Sequence, residues 1–341
     1  MYKVKRENLT AVYDRIASEM RLFLPVKKAG EVDFAEYGKG VSVSIDTLKT
    51  VRSAKDFFFP QSENMMKFKL EGKNVFIDDI REDKEPFVVF GVRACDFRSF
   101  DILDNVFLQD PVDTFYKSRR EAAIIVTMAC ANPEQTCFCN VFGIDASDPK
   151  GDISTWLDKE YLYIRVNTEK GQKLFGLIKD LTQPGGEKEV ADQQQKTKEI
   201  IDKLPFSKLD LSVFKPENLN ELFDRHEWAE LSQACLGCGA CTFVCPTCQC
   251  FDIRDIKTHK GVIRFRCWDS CMYSDFTQMA AANPRTTQLQ RYRQRFMHKL
   301  CYYPSKYDGV YSCVGCGRCV NRCPQHLNIV KVIKKLGGKN K

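Results

Sequence analysis

The sequence predicts an α+β/α chain: an N-terminal α/β domain with a partly parallel sheet over residues 1–182, a linker over 183–204, and a mainly α-helical domain over 205–341. Three observations predict it. Two apolar runs of strand length, at 87–92 and 122–129, flank a helical repeat. The composition turns polar and glycine-rich from Gln183 onward. After that point a four-cysteine motif occurs twice.

Residues 7–23 place Leu9, Val12, Tyr13, Ile16 and Met20 on one face of a helix. A polar, Lys-rich stretch follows. Phe87–Val92 has the unbroken apolar character of a buried strand. Over 97–107, Phe97, Phe100, Leu103 and Phe107 fall in helical register. The apolar run 122–129 is a second strand, and Tyr161–Val166 reads as a third. Strand, helix, strand in that order implies partly parallel pairing. The segment from Gln183-Pro-Gly-Gly to about 204 reads as a turn and a polar helix between domains. Beyond it, residues 287–300 put Leu289, Tyr292, Phe296 and Leu300 on one face, with Pro284 and Thr286 as start signals. On this reading the arginines of that helix face outward, as a solvated face or a docking face for an acidic partner.

Hydrophobic residues make up 43% of the 341, a globular composition. No run approaches the roughly 18 apolar residues of a membrane span. The first residues lack a signal-length apolar stretch, so a cytoplasmic protein is expected. Seventeen cysteines in such a chain argue for metal or redox chemistry, not a disulfide scaffold.

Cys235, Cys238, Cys241 and Cys245-Pro follow C-x₂-C-x₂-C-x₃-C-P spacing. Cys313, Cys316, Cys319 and Cys323-Pro repeat it. This is the spacing of two-cluster ferredoxins, where the fourth cysteine serves the other cluster. The reading is therefore two [4Fe–4S] clusters. One is held by Cys235, Cys238, Cys241 and Cys323, the other by Cys313, Cys316, Cys319 and Cys245. Zinc is the alternative, but zinc sites pair two short knuckles instead of four cysteines ending in Cys-Pro. The 67 residues between the motifs read as helical, hence a helical ferredoxin-type domain. A four-thiolate cluster carries a charge of about −2, so two would bring the formal +7 to about +3 and three to about +1. That leaves little charge for nucleic-acid binding. The lysines at 331, 334, 335, 339 and 341 read as a solvated end.

Cys95 follows the first strand and Cys130 the second, with Cys137 and Cys139 close behind. Parallel neighbouring strands would bring these four to one sheet edge, where open α/β sheets place ligands. A third [4Fe–4S] cluster is the favoured reading; a zinc site or free buried thiols are the alternatives. Cys248, Cys250, Cys267 and Cys271 either line the cluster pockets or form a redox site of their own, which would make the chain an enzyme. Cys301 reads as a buried thiol. His226, His259, His298 and His326 lack ligand spacing. No G-x-G-x-x-G after a strand and no G-x-x-x-x-G-K-[ST] is found, so nucleotide and flavin binding fall to a partner.

Taken together, Gly91–Asp96, Cys137-Phe-Cys139, Cys245-Pro-Thr-Cys248, Trp268-Asp-Ser-Cys271, Arg291–Lys299 and Cys313–Cys319 resemble a 4Fe–4S dicluster family. It includes the A-type subunit of anaerobic sulfite reductase and the beta subunit of cytoplasmic sulfhydrogenases. The likeness covers nearly the whole chain. Phe57–Ser62 looks closer to the sulfhydrogenase type. The resemblance implies an electron relay beside an FAD-containing, NAD(P)H-linked flavoprotein. The catalyst would lie in a separate sirohaem or nickel–iron subunit.

Overall fold

The computed structural model describes residues 1–80, 85–259 and 261–337. Among these residues, twelve strands form two sheets. In chain order they are β1 Tyr2–Lys5, β2 Arg21–Lys28, β3 Glu31–Glu36, β4 Ser62–Glu71, β5 Asn74–Asp79, β6 Phe87–Val92, β7 Ala123–Met128, β8 Ile153–Leu157, β9 Tyr161–Val166, β10 Gln183–Pro184, β11 Phe251–Thr258 and β12 Gly261–Trp268. The helices of the first half are α1 Leu9–Glu19, α2 Ala94–Phe107, α3 Thr114–Ala122, α4 Glu169–Ile178 and α5 Glu187–Asp202. Those of the second are α6 Leu219–Asp224, α7 Glu227–Ser232, α8 Ala240–Phe243, α9 Gln288–Met297, α10 Tyr303–Lys306, α11 Arg318–Arg322 and α12 Ile329–Leu336.

The large sheet has the order β10-β1-β9-β8-β7-β6-β2-β3. Its centre, β2-β6-β7-β8, is parallel, and the flanks are antiparallel. The expected partly parallel sheet is thus present. Every residue of β6 and β7 is buried because helices cover both faces. Val88, Phe90, Ile124 and Val126 face α1 and α4, meeting Val12, Ile16, Leu174 and Phe175. Val89 and Ile125 face the other way, against Phe58, Phe100, Leu103, Phe107 and Tyr116. This rigid centre fixes the loops at the carboxyl ends of β6 and β7.

The second half is mainly α-helical, as expected, but the reading of the residues between the two motifs as helical needs correction. Residues 251–268 form an antiparallel hairpin, and β12 pairs with β4 from the first half. The resulting sheet has the order β11-β12-β4-β5. Its strands mix charged and apolar residues on both faces, and Ile253, Ile256, Val75 and Ile77 remain exposed. The base of this sheet is anchored. Arg266 bonds Glu63 and Asp113, and Glu63 also meets Arg119 at 2.6 Å. Trp268 stacks on Phe59 and donates its indole N–H to the Phe59 carbonyl at 3.0 Å.

The segment 183–204 is a turn and then α5, whose Val190, Thr197 and Ile201 are buried. Thr197 donates to the Cys130 carbonyl at 2.8 Å. In the second half, Trp228, Tyr292, Phe296, Leu300, Val332 and Ile333 make one core. Phe138 from the first half is buried in it. Helix α9 starts at Thr287, not Thr286, through a capping box with Gln290. It runs on into a π turn, His298–Tyr302. Lys331, Lys334 and Lys335 are exposed on α12, while Lys339 and Lys341 lie outside the described residues.

Candidate metal centre

Each cysteine motif is a loop that wraps into a short helix, α8 or α11. Gly315 and Gly317 have φ of +59° and +75°. A Cβ at either would collide with the backbone at Phe138 or Thr136. Glycine is required there for the loop carrying Cys137 and Cys139 to lie on the second motif, where the Phe138 N–H donates to the Gly315 carbonyl at 2.9 Å.

Two cavities follow from this wrapping. One is lined by Cys235, Cys238, Cys241 and Cys323. The other is lined by Cys245, Cys313, Cys316 and Cys319. The fourth cysteine of each motif thus faces the cavity of the other. Among the described residues, no three His, Cys, Asp or Glu side chains reach the spacing of a single bound ion. Four thiols around a cavity suit a multinuclear group better than one zinc.

The sulfurs have hydrogen-bond donors around them. Gln288 Nε2 lies 3.4 Å from Cys235 Sγ, and the Leu327 N–H lies 3.2 Å from Cys323 Sγ. Burial pushes the Cys313 thiol up to about 12 and raises Cys241, Cys316 and Cys319 as well. Ligation would need the thiolate form. The compensating charges around these thiols are the buried cations Arg295, Lys299 and Arg318, which sequence reasoning missed. Arg295 lines both cavities, and Lys299 lines the second. Lys55 sits 3.5 Å over the Trp268 ring and donates to the Cys248 carbonyl at 2.9 Å. Arg295 and Lys299 correct the outward-facing expectation for the cations of 287–300. They share the buried stripe of Tyr292, Phe296 and Leu300 at i, i+3, i+4 spacing, which the sequence already contained.

The first-half cysteines also converge. Cys95 opens α2 after β6, and Cys130 follows β7. Cys95, Cys130 and Cys139 share one buried cluster with Cys316 of the second motif. Cys137 is half-buried, 3.8 Å from Lys49 Nζ. Burial raises Cys130 to about 11, and it raises Cys95 and Cys139 too. Arg318, next to Cys319, makes a two-fold ion pair with Asp96, next to Cys95, at 2.5 and 2.7 Å. This pair ties the segment of the second motif to the segment that carries Cys95.

Of the remaining cysteines, Cys250 and Cys271 are within thiol hydrogen-bond reach, and Cys248 is likewise paired with Cys245. Cys267 stands apart on β12, opposite Asp252 and Ser62. Cys301 is fully buried in the core of the second half. His226, His259 and His326 are exposed, and His298 is half-buried beside Tyr303.

Comparison with known proteins then decides the family. A 4Fe-4S dicluster domain model matches residues 234–327. The sulfhydrogenase 2 beta subunit of Pyrococcus furiosus is 30% identical over 341 residues, covering 98% of this chain and 97% of the relative. The chain belongs to the sulfhydrogenase beta-subunit family. In this family member the dicluster match spans both four-cysteine motifs and the hairpin between them. The sulfhydrogenase beta-type chain is thus an iron–sulfur protein in its C-terminal region. Among its described residues, no helix is long and apolar enough to cross a membrane.

Proposed function

We propose that this chain is the electron-relay component of a multisubunit oxidoreductase of the sulfhydrogenase type. Cys235, Cys238, Cys241 and Cys323 hold one [4Fe–4S] cluster, and Cys313, Cys316, Cys319 and Cys245 hold a second. Cys95, Cys130, Cys137 and Cys139 hold a third. The clusters supply one-electron carriers; the protein fixes their spacing, excludes water and sets their charge environment. The carrying observation is the exchange of Cys245 and Cys323 between the two cavities. Shared ligation brings neighbouring carriers close enough for tunnelling. Cys316 lies in the same buried cluster as Cys95, Cys130 and Cys139, which supports a continuous path.

The electrons pass between an FAD-containing, NAD(P)H-linked flavoprotein and a separate catalytic subunit. A nickel–iron catalyst is favoured over a sirohaem one by the likeness to a sulfhydrogenase chain. A redox enzyme site made of Cys248, Cys250, Cys267 and Cys271 is less well supported, because Cys267 stands apart from the other three.

Iron and acid-labile sulfide per chain test the assignment. Three [4Fe–4S] clusters give about 12 Fe, and two give about 8. A chain purified without air should hold about 12. Cys323→Ser should disturb the cluster of the first motif, and Cys245→Ser that of the second. Loss in the opposite pairing would sink the crossed assignment. Purification of the native complex tests the partners: flavin and nickel should come with it.

A further inference from the structure

A guanidinium lies buried between the two four-cysteine cavities. Arg295 lines both and is 2% exposed. Its Nη2 donates to the Cys241 carbonyl at 2.7 Å. Its Nε and Nη1 are buried with no partner in the protein. Lys299, one turn further on, is complete by contrast: its ammonium meets Thr247 Oγ1 at 2.8 Å and the Ser312 carbonyl at 3.0 Å. The groups whose negative charge would act most strongly on Arg295 are the thiols of Cys241, Cys248, Cys319 and Cys245, drawn from both halves of the cysteine-rich region. An ionised side chain with two orphan donors is costly to bury unless negative charge faces it.

We propose that Arg295 is a shared tuning residue, whose two free donors serve sulfur atoms of both clusters and raise the reduction potential of each. The inference rests on the cluster assignment above. The physics is direct. Reducing a cluster adds an electron to a group that is already anionic, so a fixed cation beside it favours the reduced form. The step is a one-electron transfer, with no bond made and no proton moved. Because a guanidinium presents donors on several edges of one rigid plane, a single arginine can serve two sites at once. A lysine ammonium is a point charge and keeps the Coulomb part alone. The charge of either cluster is then felt at the same residue, and the two potentials move together.

The test is an EPR-monitored redox titration of the full-length, iron-loaded chain with dithionite, with iron counted in every sample. Arg295→Gln is expected to keep its iron and to lower both midpoints. A tenfold change in each reduction equilibrium would be a shift of about 59 mV for a one-electron couple. Arg295→Lys should fall between Arg295→Gln and the wild type. Arg293→Gln, on the same helix but over the Phe223 ring, should shift neither. Full iron with unchanged midpoints in Arg295→Gln overturns the proposal, and so does a shift in only one cluster. Should Arg295→Gln lose iron, Arg295→Lys decides. Retained iron with both midpoints lowered supports the tuning role; retained iron with unchanged midpoints overturns it, and loss of iron there too assigns Arg295 to packing and overturns it. A wild-type chain with fewer than two clusters would instead sink the cluster assignment itself, before any variant is compared.

Discussion

Asp96 and Arg318 sit 222 residues apart in sequence and meet through two hydrogen bonds, at 1% and 4% side-chain exposure. Breaking a pair this deeply buried leaves one uncompensated charge and costs about 3–5 kcal/mol. Asp96→Asn should therefore destabilise the holo-protein by that amount in urea titrations, whereas exposed pairs such as Arg21–Glu36 should be worth under about 1 kcal/mol. His298 gives a pH effect of defined sign. Burial, then Lys299 and Arg285, hold its imidazole near about 4, below the ordinary 6.5. Between those values the unfolded chain binds the extra proton, so stability falls as pH drops from about 6.5 toward 4. His298→Gln should flatten that part of the stability curve by at most about 3 kcal/mol in urea titrations at successive pH values. At this scale the cysteine spacing was fully legible. The buried cations were not, because Arg295 and Lys299 are polar letters whose helical register with Tyr292 and Phe296 outweighs their polarity once thiols face them.

The two motif loops depend on backbone that only glycine adopts without strain. Gly317→Ala would place a methyl against the Thr136 carbonyl at a φ of +75°. It should separate the Cys137–Cys139 loop from the second motif and reduce iron content, visible as a lower ratio of cluster absorbance to protein. Gly309→Ala, at a φ of +78° but with open space around it, should carry backbone strain alone and keep its iron. Elements with a clean period were readable. The strands Phe87–Val92 and Tyr161–Val166 coincide with the expected segments, and α2 occupies its own to within a turn, whereas α1 stops at Glu19 and residues 21–23, expected in that helix, open β2 instead. The hairpin 251–268 was not. Its Ile-Arg-Asp-Ile and Val-Ile-Arg-Phe-Arg stretches lack a one-sided pattern, since both faces of that sheet stay partly in water. Pairing with β4 decides its conformation, and a partner so distant in the chain leaves no local trace.

Across the whole molecule, Cys245 and Cys323 exchange places, Arg318 reaches Asp96, and Phe138 enters the second core. Iron should therefore be a structural tie as well as a carrier. Anaerobic chelation is expected to lower the melting temperature and to expose the 235–323 region to protease first, with recovery on reconstitution; an unchanged melting curve would contradict this. The arrangement of the small sheet also carries a consequence for synthesis. Strands β4 and β5 leave the ribosome well before β12, which ends at Trp268 and is the strand that covers the β4 edge. At a translation rate of roughly 5–20 residues per second, that edge waits roughly 10–40 s for its mate. During that interval Val75 and Ile77 flank an open hydrogen-bonding edge on a nascent chain, the circumstance in which strands pair with the wrong neighbour. Recombinant yield of this protein should thus be limited by chaperone capacity during elongation as well as by iron supply afterwards.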